Sequence, residues 1–282
     1  MSERPSAIDV RAARRRFDRA ATGYAAASRL EAEVGARMLE RLDYLKVAPR
    51  RILDAGSGPS REGKALAHRY RQSELIALDF SPAMLKSGER KLGFFRKRKL
   101  LCADLARLPL AAGSIGFIWS NMALHWAGDP LAAIKEFSRV LSPGGLLMFS
   151  TLGPDTLKEL RTAAGAARVH EFIDMHDLGD MLVEAGFAAP VMDMEILTMR
   201  YADAGALLAD LRAGGQTSAR LDRARGLAGK GFGRRLHAAL GVDAHVAFAA
   251  TYELIYGHGW KGAPRKPPDG RHIVEFHSPS LR

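Results

Sequence analysis

A short glycine-containing loop is the first feature whose residue types and spacing could do chemistry. Residues 53–60 read LDAGSGPS and follow an apolar run, as in a turn between a strand and a helix. A dinucleotide-binding loop would need a third glycine at the position of Arg61. A phosphate-binding loop is matched in spacing by residues 58–64, but Ala65 lacks the hydroxyl that would hold magnesium. The spacing therefore favours neither of these two loops.

Three acids stand at the ends of three successive predicted strands: Asp54, Asp79 and Asp104. The carboxyl ends of parallel strands share one edge of a sheet, where open α/β sheets bind their ligands. Gly56 and Gly58 would let the backbone approach the methionine part of a ligand, and Asp79 could accept hydrogen bonds from both ribose hydroxyls. This pattern predicts an S-adenosylmethionine pocket, which needs no third glycine because the cofactor has no pyrophosphate.

Apolar residues near these acids could form the walls for an adenine ring. Phe80, Met84 and Leu105 are the predicted walls, since cofactor pockets combine apolar walls with a few placed polar groups. A zinc helix is not favoured, because the histidine that follows His170 in HEFIDMH comes six residues later, not four. No metal is expected.

Alternating strands and helices must position these residues. Apolar runs predict strands at 50–55, 74–79, 99–104, 114–120, 144–151, 191–201 and 247–256. Helical patterns follow the first, second and fourth of these strands, which predicts an α/β fold with a doubly wound, mostly parallel seven-stranded sheet. The last strand is expected to be antiparallel and to pair with the strand at 191–201, with a helical insertion between the two.

Four segments are expected along the chain. Residues 1–45 form a helical lead-in, and residues 46–202 together with 246–257 form the cofactor-binding domain. Residues 203–245 form the insertion, predicted to cap the substrate, and residues 258–282 form a loose basic tail.

Composition sets the class of protein. The 282 residues are 47% hydrophobic, include the single cysteine Cys102 and contain no apolar run long enough to span a membrane. We expect a cytoplasmic location. The net charge of +11 predicts an acidic partner. Nucleic acid is not favoured, because the basic clusters lack interleaved aromatic residues.

Longer motifs carry a family resemblance. They are VGARMLERLDYLK, ILDAGSG, ALDFSPAML, CADLARLPL, WSNMALHWAGDP, RVLSPGGLLMFSTLGPDTLKELR, FIDMHDLGDMLVEAGF and TYELIYGHGWK. From about Phe17 to Lys261 the chain resembles the Rossmann-like class I methyltransferases, and among them the family that methylates malonyl-acyl carrier protein in biotin synthesis. The loop departs from the usual pattern of this family at Pro59 and Ser60.

The resemblance implies an activity and a set of site residues. The activity is transfer of a methyl group from S-adenosylmethionine to the free carboxylate of a malonyl group on an acidic acyl carrier protein. The residues implied to contact the cofactor are Asp54, Gly56, Gly58, Asp79, Met84, Asp104, Leu105 and Asn121. Tyr24 resembles the aromatic residue that closes over the methyl donor, and Tyr24, His125 and Trp126 are expected to line the reacting pocket.

Two questions stay open from the residues. His125 stands where the family often carries glutamine, and it could act as a general base if the acceptor were a hydroxyl or an amine. The alternatives are a methyltransferase-like protein-modifying hydroxylase or assembly factor, or a methyltransferase acting on another small molecule. Five arginines of the insertion are expected to rim the pocket and face the carrier protein: Arg220, Arg223, Arg225, Arg234 and Arg235.

Overall fold

The computed structural model describes residues 8–92, 97–223, 229–241 and 247–262. The α-helices among them are α1 (Val10–Ala20), α2 (Tyr24–Ala27), α3 (Arg29–Arg41), α4 (Gly63–Arg69), α5 (Pro82–Ser87), α6 (Pro130–Val140), α7 (Lys158–Ala164), α8 (Met175–Glu184), α9 (Ala204–Ala213) and α10 (Gly229–Ala239). The strands are β1 (Arg51–Ala55), β2 (Glu74–Asp79), β3 (Lys99–Cys102), β4 (Ile115–Ser120), β5 (Leu141–Leu152), β6 (Phe187–Tyr201) and β7 (Phe248–Lys261). Short 3-10 helices cover Leu42–Tyr44, Leu124–Trp126 and Ala166–Arg168.

The seven strands form one sheet in the order β3-β2-β1-β4-β5-β7-β6. Strands β1 to β5 are parallel, and β7 runs antiparallel to both β5 and β6. The strand order reverses between β1 and β4, which opens a crevice beyond their carboxyl ends. The predicted doubly wound sheet with an antiparallel last strand is therefore confirmed.

The central strands are buried on both faces, as parallel strands flanked by helices must be. Alternate residues belong to opposite layers: Ile52 and Phe117 pack in one hydrophobic cluster, whereas their neighbours Leu53 and Ile118 pack in the other. All four side chains are fully buried. Because apolar residues occupy both faces, the central strands are apolar without a break, as the sequence indicated.

Helix α5 is shorter than the sequence PAMLKSGERK, residues 82–91, predicts from its helical pattern. It begins at the Ser81 cap, whose hydroxyl accepts a hydrogen bond from the Met84 N–H at 3.1 Å. It ends at Ser87, because Gly88 is extended and packs tightly against the loop: a Cβ at this glycine would lie 1.9 Å from the Pro59 carbonyl oxygen. The chain therefore turns away beside the glycine loop.

Strands β6 and β7 form a long antiparallel pair. The predicted pairing of 191–201 with the last strand is confirmed, from Val191 opposite His258 to Tyr201 opposite Phe248. The last strand continues to Lys261, so residues 258–261 of the predicted tail are paired backbone with β5 and β6 on either side. Residues 263–282 of that tail lie outside the described residues.

The two helical segments that the sequence separated from the sheet meet over its carboxyl edge. Helix α1 contacts α5 and helix α2 contacts α9, and the Asp9 N–H donates to the Ala219 carbonyl oxygen at 2.7 Å. Helices α9 and α10 lie in the chain between β6 and β7. Across the described ranges, no helix has both the length and the apolar character that crossing a membrane requires.

Candidate active site

The first of two adjoining cavities lies beyond the carboxyl ends of β1 to β4. Its space, including the opening to solvent, is about 600 Å³, which is in the range of small-molecule pockets. The residues that line it are Val10, Phe17, Tyr24, Gly56, Gly58, Asp79, Phe80, Met84, Asp104, Leu105, Asn121, Met122, Ala123, Trp126 and Ala127. Eight of the nine residues predicted to contact cofactor are in this set, and the ninth is Asp54.

The glycine loop forms the floor of this cavity. Gly56 has a φ of +73°, and a Cβ there would lie 2.1 Å from the Cβ of Ala123, so only glycine fits. Gly58 has a φ of +51° but open space around it, which leaves its backbone accessible to a ligand. The Gly58 N–H donates to Asp79 Oδ2 at 2.8 Å, and this bond joins the loop to the end of β2.

Asp54 lies behind the loop and does not line the cavity. Its Oδ2 accepts a hydrogen bond from the Ser60 hydroxyl at 2.5 Å, and its side chain is almost fully buried. Burial raises the pKa of Asp54 to about 7. Ser60 is one of the two residues at which the loop departs from the usual family pattern, and here it links the loop to β1.

Asp79 is the buried acid that faces the cavity. Its Oδ1 accepts from the Ser81 N–H at 2.8 Å, and both oxygens keep further lone pairs for a ligand. Burial raises the pKa of Asp79 to about 6, so the carboxylate is mostly ionised at neutral pH. A carboxylate with free lone pairs beside an open glycine backbone and the apolar side chains of Phe80, Met84 and Leu105 fits a ribose and its adenine.

A cluster of aromatic rings closes the cavity from the N-terminal side. The ring of Phe17 is at its centre, 4.9 Å from Trp126, 5.7 Å from Phe80 and 6.2 Å from Tyr24 between ring centroids. Burial raises the pKa of Tyr24, so its hydroxyl stays protonated. The sequence analysis identified Tyr24 and missed Phe17, because a single aromatic residue in an amphipathic helix carries no motif.

The second cavity adjoins the first and shares Met122 and Trp126 with it. Its lining is mostly apolar. The residues that line it are Leu30, Glu31, Met122, His125, Trp126, Leu152, Leu157, Leu160, Ala164, Arg168, Val169, His170, Phe172, Leu208, Leu211, Arg212, Gln216, Thr217, Ser218, Phe232, Leu236 and Tyr252. Of the three residues predicted for the reacting pocket, His125 lies here, Trp126 lies in both cavities and Tyr24 lies in the first.

The lining of the second cavity comes from α3, β5, α7, α9, α10, β7 and the segments between them. These elements are far apart in the chain, and no local pattern joins them. The sequence analysis therefore missed this cavity as a whole.

Two histidines in the second cavity are held in the neutral form. His125 Nδ1 lies 3.2 Å from Thr151 Oγ1, and His170 Nε2 accepts a hydrogen bond from the Ala219 N–H at 2.6 Å. Burial lowers the pKa of His125 to about 3 and that of His170 to about 4. Neither histidine is basic enough to take a proton from a substrate near pH 7.

The arginines expected to rim the pocket divide into two groups. Arg220 is buried and forms ion pairs with Glu171 at 2.7 Å and Asp222 at 2.6 Å, and Arg223 forms one with Asp9 at 3.0 Å. For Arg220 the expected position on the rim is wrong, because the side chain is buried among acidic partners, and Arg223 is partly buried with its charge paired to Asp9. Two others, Arg234 and Arg235, are exposed on α10, and Arg225 lies outside the described residues.

The ligand-type side chains of the site are not grouped around a metal position. In the described ranges, no three or more His, Cys, Asp or Glu side chains are arranged to hold a metal ion.

The fold and the glycine-and-acid cavity together define the class of protein: this chain is an S-adenosylmethionine-dependent methyltransferase. Residues 53–149 match the family model described as a methyltransferase domain. The fold is similar to the crystal structure of the YcgJ protein from Bacillus subtilis, with a TM-score of 0.59 at 16% identity over 82% of this chain and 99% of that one. It is also similar to that of a putative methyltransferase from Bacillus halodurans, with a TM-score of 0.58 at 15% identity over 81% of this chain and 99% of that one.

Curated relatives narrow the class to a family. A malonyl-acyl-carrier-protein O-methyltransferase from Methylovorus sp. is 50% identical, over 95% of this chain and 95% of its own length. Its counterparts from Gallionella capsiferriformans and Legionella pneumophila are 47% and 40% identical, over 95% and 90% of this chain and 96% and 92% of their own lengths. The chain belongs to the malonyl-acyl-carrier-protein O-methyltransferase family.

Proposed function

We propose that this protein transfers the methyl group of S-adenosylmethionine to the free carboxylate of a malonyl group carried by an acyl carrier protein. The observation that carries the proposal is the neutral state of His125 and His170 in the second cavity. A malonyl carboxylate is already ionised at neutral pH, so its methylation needs no base. The names of the relatives support the same acceptor and do not favour a protein-modifying hydroxylase or assembly factor.

Each cavity has a separate part in the proposed reaction. Bound in the first cavity, S-adenosylmethionine would supply a methyl group on a positively charged sulfur. Asp79 would hold its ribose, Asn121 and the glycine loop would hold its amino-acid part, and Asp104 would face its adenine. The carboxylate would enter from the second cavity and meet the methyl group beside Met122, Tyr24 and Trp126.

The chain accelerates this reaction by placement and by exclusion of water. Met122 and Trp126 border both cavities, so a cofactor and an acceptor on either side of them would be close neighbours. Holding two reactants in line removes an entropic barrier that can reach about 7 to 11 kcal/mol in favourable cases. The aromatic cluster around Phe17 would keep water away from the reacting atoms.

The helical insertion would act as a cap over the acceptor. Leu208 and Leu211 of α9 and Phe232 and Leu236 of α10 line the second cavity opposite the sheet. The predicted insertion, residues 203–245, thus contributes apolar walls suited to the chain that links a malonyl group to its carrier.

A basic rim at the same cavity would receive the carrier protein. Arg168 and Arg212 line the cavity, are exposed and form no ion pair with any residue the structure describes. Arg234 and Arg235 are exposed on the adjacent α10. Acyl carrier proteins are acidic by the family resemblance, so these charges would steer docking. We also propose a cytoplasmic location on the basis of composition.

The acceptor is tested by incubating the protein with labelled S-adenosylmethionine and one of three compounds: malonyl-acyl carrier protein, malonyl-coenzyme A or free malonate. We expect a methyl ester on the two thioesters, identified by product mass, and little product from malonate. Equal rates on all three would contradict the carrier-protein acceptor, and no ester on any would overturn the proposed function.

The docking surface is tested by a double variant, Arg234→Glu with Arg235→Glu. Exposed charges are screened beyond about 10 Å at 0.1 M salt, so the loss in kcat/KM should shrink as salt rises. Malonyl-coenzyme A, which carries no protein, should be affected much less. The control reverses two exposed charges near the opposite edge of the sheet, Arg50→Glu with Arg71→Glu. Equal losses in both double variants would remove α10 from the docking surface.

A further inference from the structure

Glu31 lies where the two cavities adjoin, and neither the sequence motifs nor the cofactor pocket accounts for it. It is in the first turn of α3, and its side chain lines the second cavity. Its backbone carbonyl accepts a hydrogen bond from Asn121 Nδ2 at 2.9 Å, and Asn121 lines the first cavity. The position of Glu31 is therefore tied to the cofactor side while its carboxyl group faces the acceptor side.

The carboxyl group of Glu31 has one oxygen without a partner. Oε1 accepts a hydrogen bond from Gln216 Nε2, whereas Oε2 is buried and has no hydrogen-bond partner among the described residues. No described lysine or arginine forms an ion pair with Glu31 either. A buried polar atom left unpaired costs about 1 to 3 kcal/mol, and more if it is charged. In the neutral form of Glu31 the proton would therefore be on the unpaired oxygen, Oε2.

Burial is the largest influence on the pKa of Glu31, and the charged groups around it act in both directions. Burial, together with Asp210 on α9, raises the pKa of Glu31 to about 7. Arg61 lowers it, but the Arg61 guanidinium donates to the Ala25 carbonyl oxygen at 3.0 Å and to the Ser28 hydroxyl at 2.7 Å. Tyr24 and Tyr252, which face Glu31 from α2 and β7, are protonated because burial raises the pKa of each.

The rest of the cavity supplies no buried cation for an anionic acceptor. His125 and His170 are neutral, and Arg168 and Arg212 are exposed. Arg168 and Arg212 line the cavity only at exposed positions, so in its buried part, beside Glu31, an acceptor carboxylate would be held by neutral hydrogen-bond donors. A hydrogen bond from a hydroxyl to an ionised oxygen is among the strong ones.

We propose that Glu31 binds the acceptor as a neutral acid, with the hydroxyl at Oε2 donating a hydrogen bond to the acceptor carboxylate. This inference rests on the proposed function. Rotation about the terminal torsion of a glutamate is soft and moves both oxygens together, so a small turn brings Oε2 towards the cavity if the Gln216 amide, which also lines the cavity, follows Oε1. One carboxylate oxygen is then held, and the other would bond to the methyl carbon as the carbon–sulfur bond of S-adenosylmethionine breaks, with neutral S-adenosylhomocysteine as the leaving group. No proton is transferred, and the neutral ester accepts a weaker hydrogen bond, which favours its release.

The opposite role for Glu31 would be that of a general base for a hydroxyl or amine acceptor. The two roles predict opposite changes of activity with pH. A neutral donor is lost as pH rises through 7, and the ionised Glu31 would repel the acceptor carboxylate. The activity supported by a general base would instead rise over the same pH range, because the base acts in its ionised form.

The test compares kcat/KM for malonyl-acyl carrier protein between pH 5.5 and 9 in the wild type, Glu31→Gln and Glu31→Ala. We expect the wild-type value to fall about tenfold per pH unit above about 7. Glu31→Gln should lose less than tenfold at pH 6.5 and show no such fall, because its amide can accept from Gln216 and still donate to the carboxylate. Glu31→Ala should lose more than Glu31→Gln.

The exposed neighbour Glu33 provides the control, and Glu33→Gln should keep the wild-type pH profile. The thermal shift with S-adenosylhomocysteine verifies that each variant folds and binds cofactor. A wild-type rate that rises through pH 7, with a loss above 100-fold in Glu31→Gln, would overturn the donor role in favour of a base. Identical profiles for wild type and Glu31→Gln would remove Glu31 from the site. Failure of the proposed function is distinguishable, because the wild type would then form no methyl ester at any pH.

Discussion

The two cavities of this protein differ in how their polar groups are held. In the first cavity the buried acid Asp79 is ionised and accepts hydrogen bonds from the loop and from α5. In the second cavity His125 and His170 are neutral, and one oxygen of Glu31 has no partner. The first cavity is thus suited to a ligand that carries hydroxyls, and the second to an anion that needs donors.

The cavities also differ in their origin along the chain. The polar residues of the first cavity follow the ends of consecutive parallel strands, so each is marked by a local pattern. The second cavity is assembled from helices and loops between residues 30 and 252. The comparison teaches that a binding site at strand ends is visible in a sequence, whereas one made by packed helices is not.

The largest effect is expected for cofactor binding, which is assigned to the first cavity. Asp79→Ala should abolish the thermal stabilisation by S-adenosylhomocysteine, because two charge-assisted hydrogen bonds of about 1.5 to 3 kcal/mol each would be lost. This corresponds to a Kd at least about 100-fold higher. Differential scanning fluorimetry measures it, with Asp180→Ala on the exposed face of α8 as the control. An unchanged shift would remove Asp79 from the cofactor site.

A second effect concerns the pH dependence of stability. As pH falls below about 6.5 the unfolded chain takes up protons on its histidines before buried His125 and His170 do, so stability is lost as pH falls towards 4. The raised pKa values of the buried carboxyls act in the opposite direction, with stability gained as pH falls from 7 to 4.

The variant His170→Gln isolates the histidine contribution. The slope of its free energy of unfolding against pH should be lower than that of the wild type between pH 4.5 and 6, by up to about 1.4 kcal/mol per pH unit, because the stability that the wild type loses through His170 as pH falls is removed. Urea unfolding at several pH values measures the slope, with the exposed His237→Gln as the control. Parallel slopes in wild type and His170→Gln would show that His170 is protonated in the folded protein.

A smaller effect is expected where the cavities meet. Tyr24→Phe keeps the ring that packs against Phe17 and removes one hydroxyl, so kcat should fall several-fold while the melting temperature changes little. Steady-state kinetics on malonyl-acyl carrier protein measures the change, and Tyr44→Phe at an exposed position is the control. Wild-type kinetics in Tyr24→Phe would exclude a role for the hydroxyl.

The smallest effect is expected at His125. Because its pKa is lowered to about 3, it is neutral throughout the working range, and a neutral glutamine that reaches Thr151 can replace it. His125→Gln should therefore lose less than about threefold in kcat/KM, far below the effect of removing a general base. A loss of 100-fold or more would mean that His125 transfers a proton and that the acceptor is not a carboxylate.

The sequence by itself determined the alternation of strands and helices, the antiparallel pairing of β6 with β7, and the loop and acids at the carboxyl edge. Period-two and uninterrupted apolar runs are local properties, and parallel strands bring their ends together whatever the surrounding helices do. Gly56 could be identified for the same reason, since its backbone conformation is a local requirement. The cofactor contacts of these residues stay predictions.

The tertiary structure decided the features that depend on contacts between distant segments. It placed Asp54 behind the loop rather than in the cavity, ended α5 where Gly88 meets Pro59, and paired Arg220 with Glu171. It also brought Glu31 of α3 beside Gln216 in the second cavity. The burial and charge of a side chain are set by neighbours that can be as many as 185 positions away, as for this pair, and no local pattern encodes them.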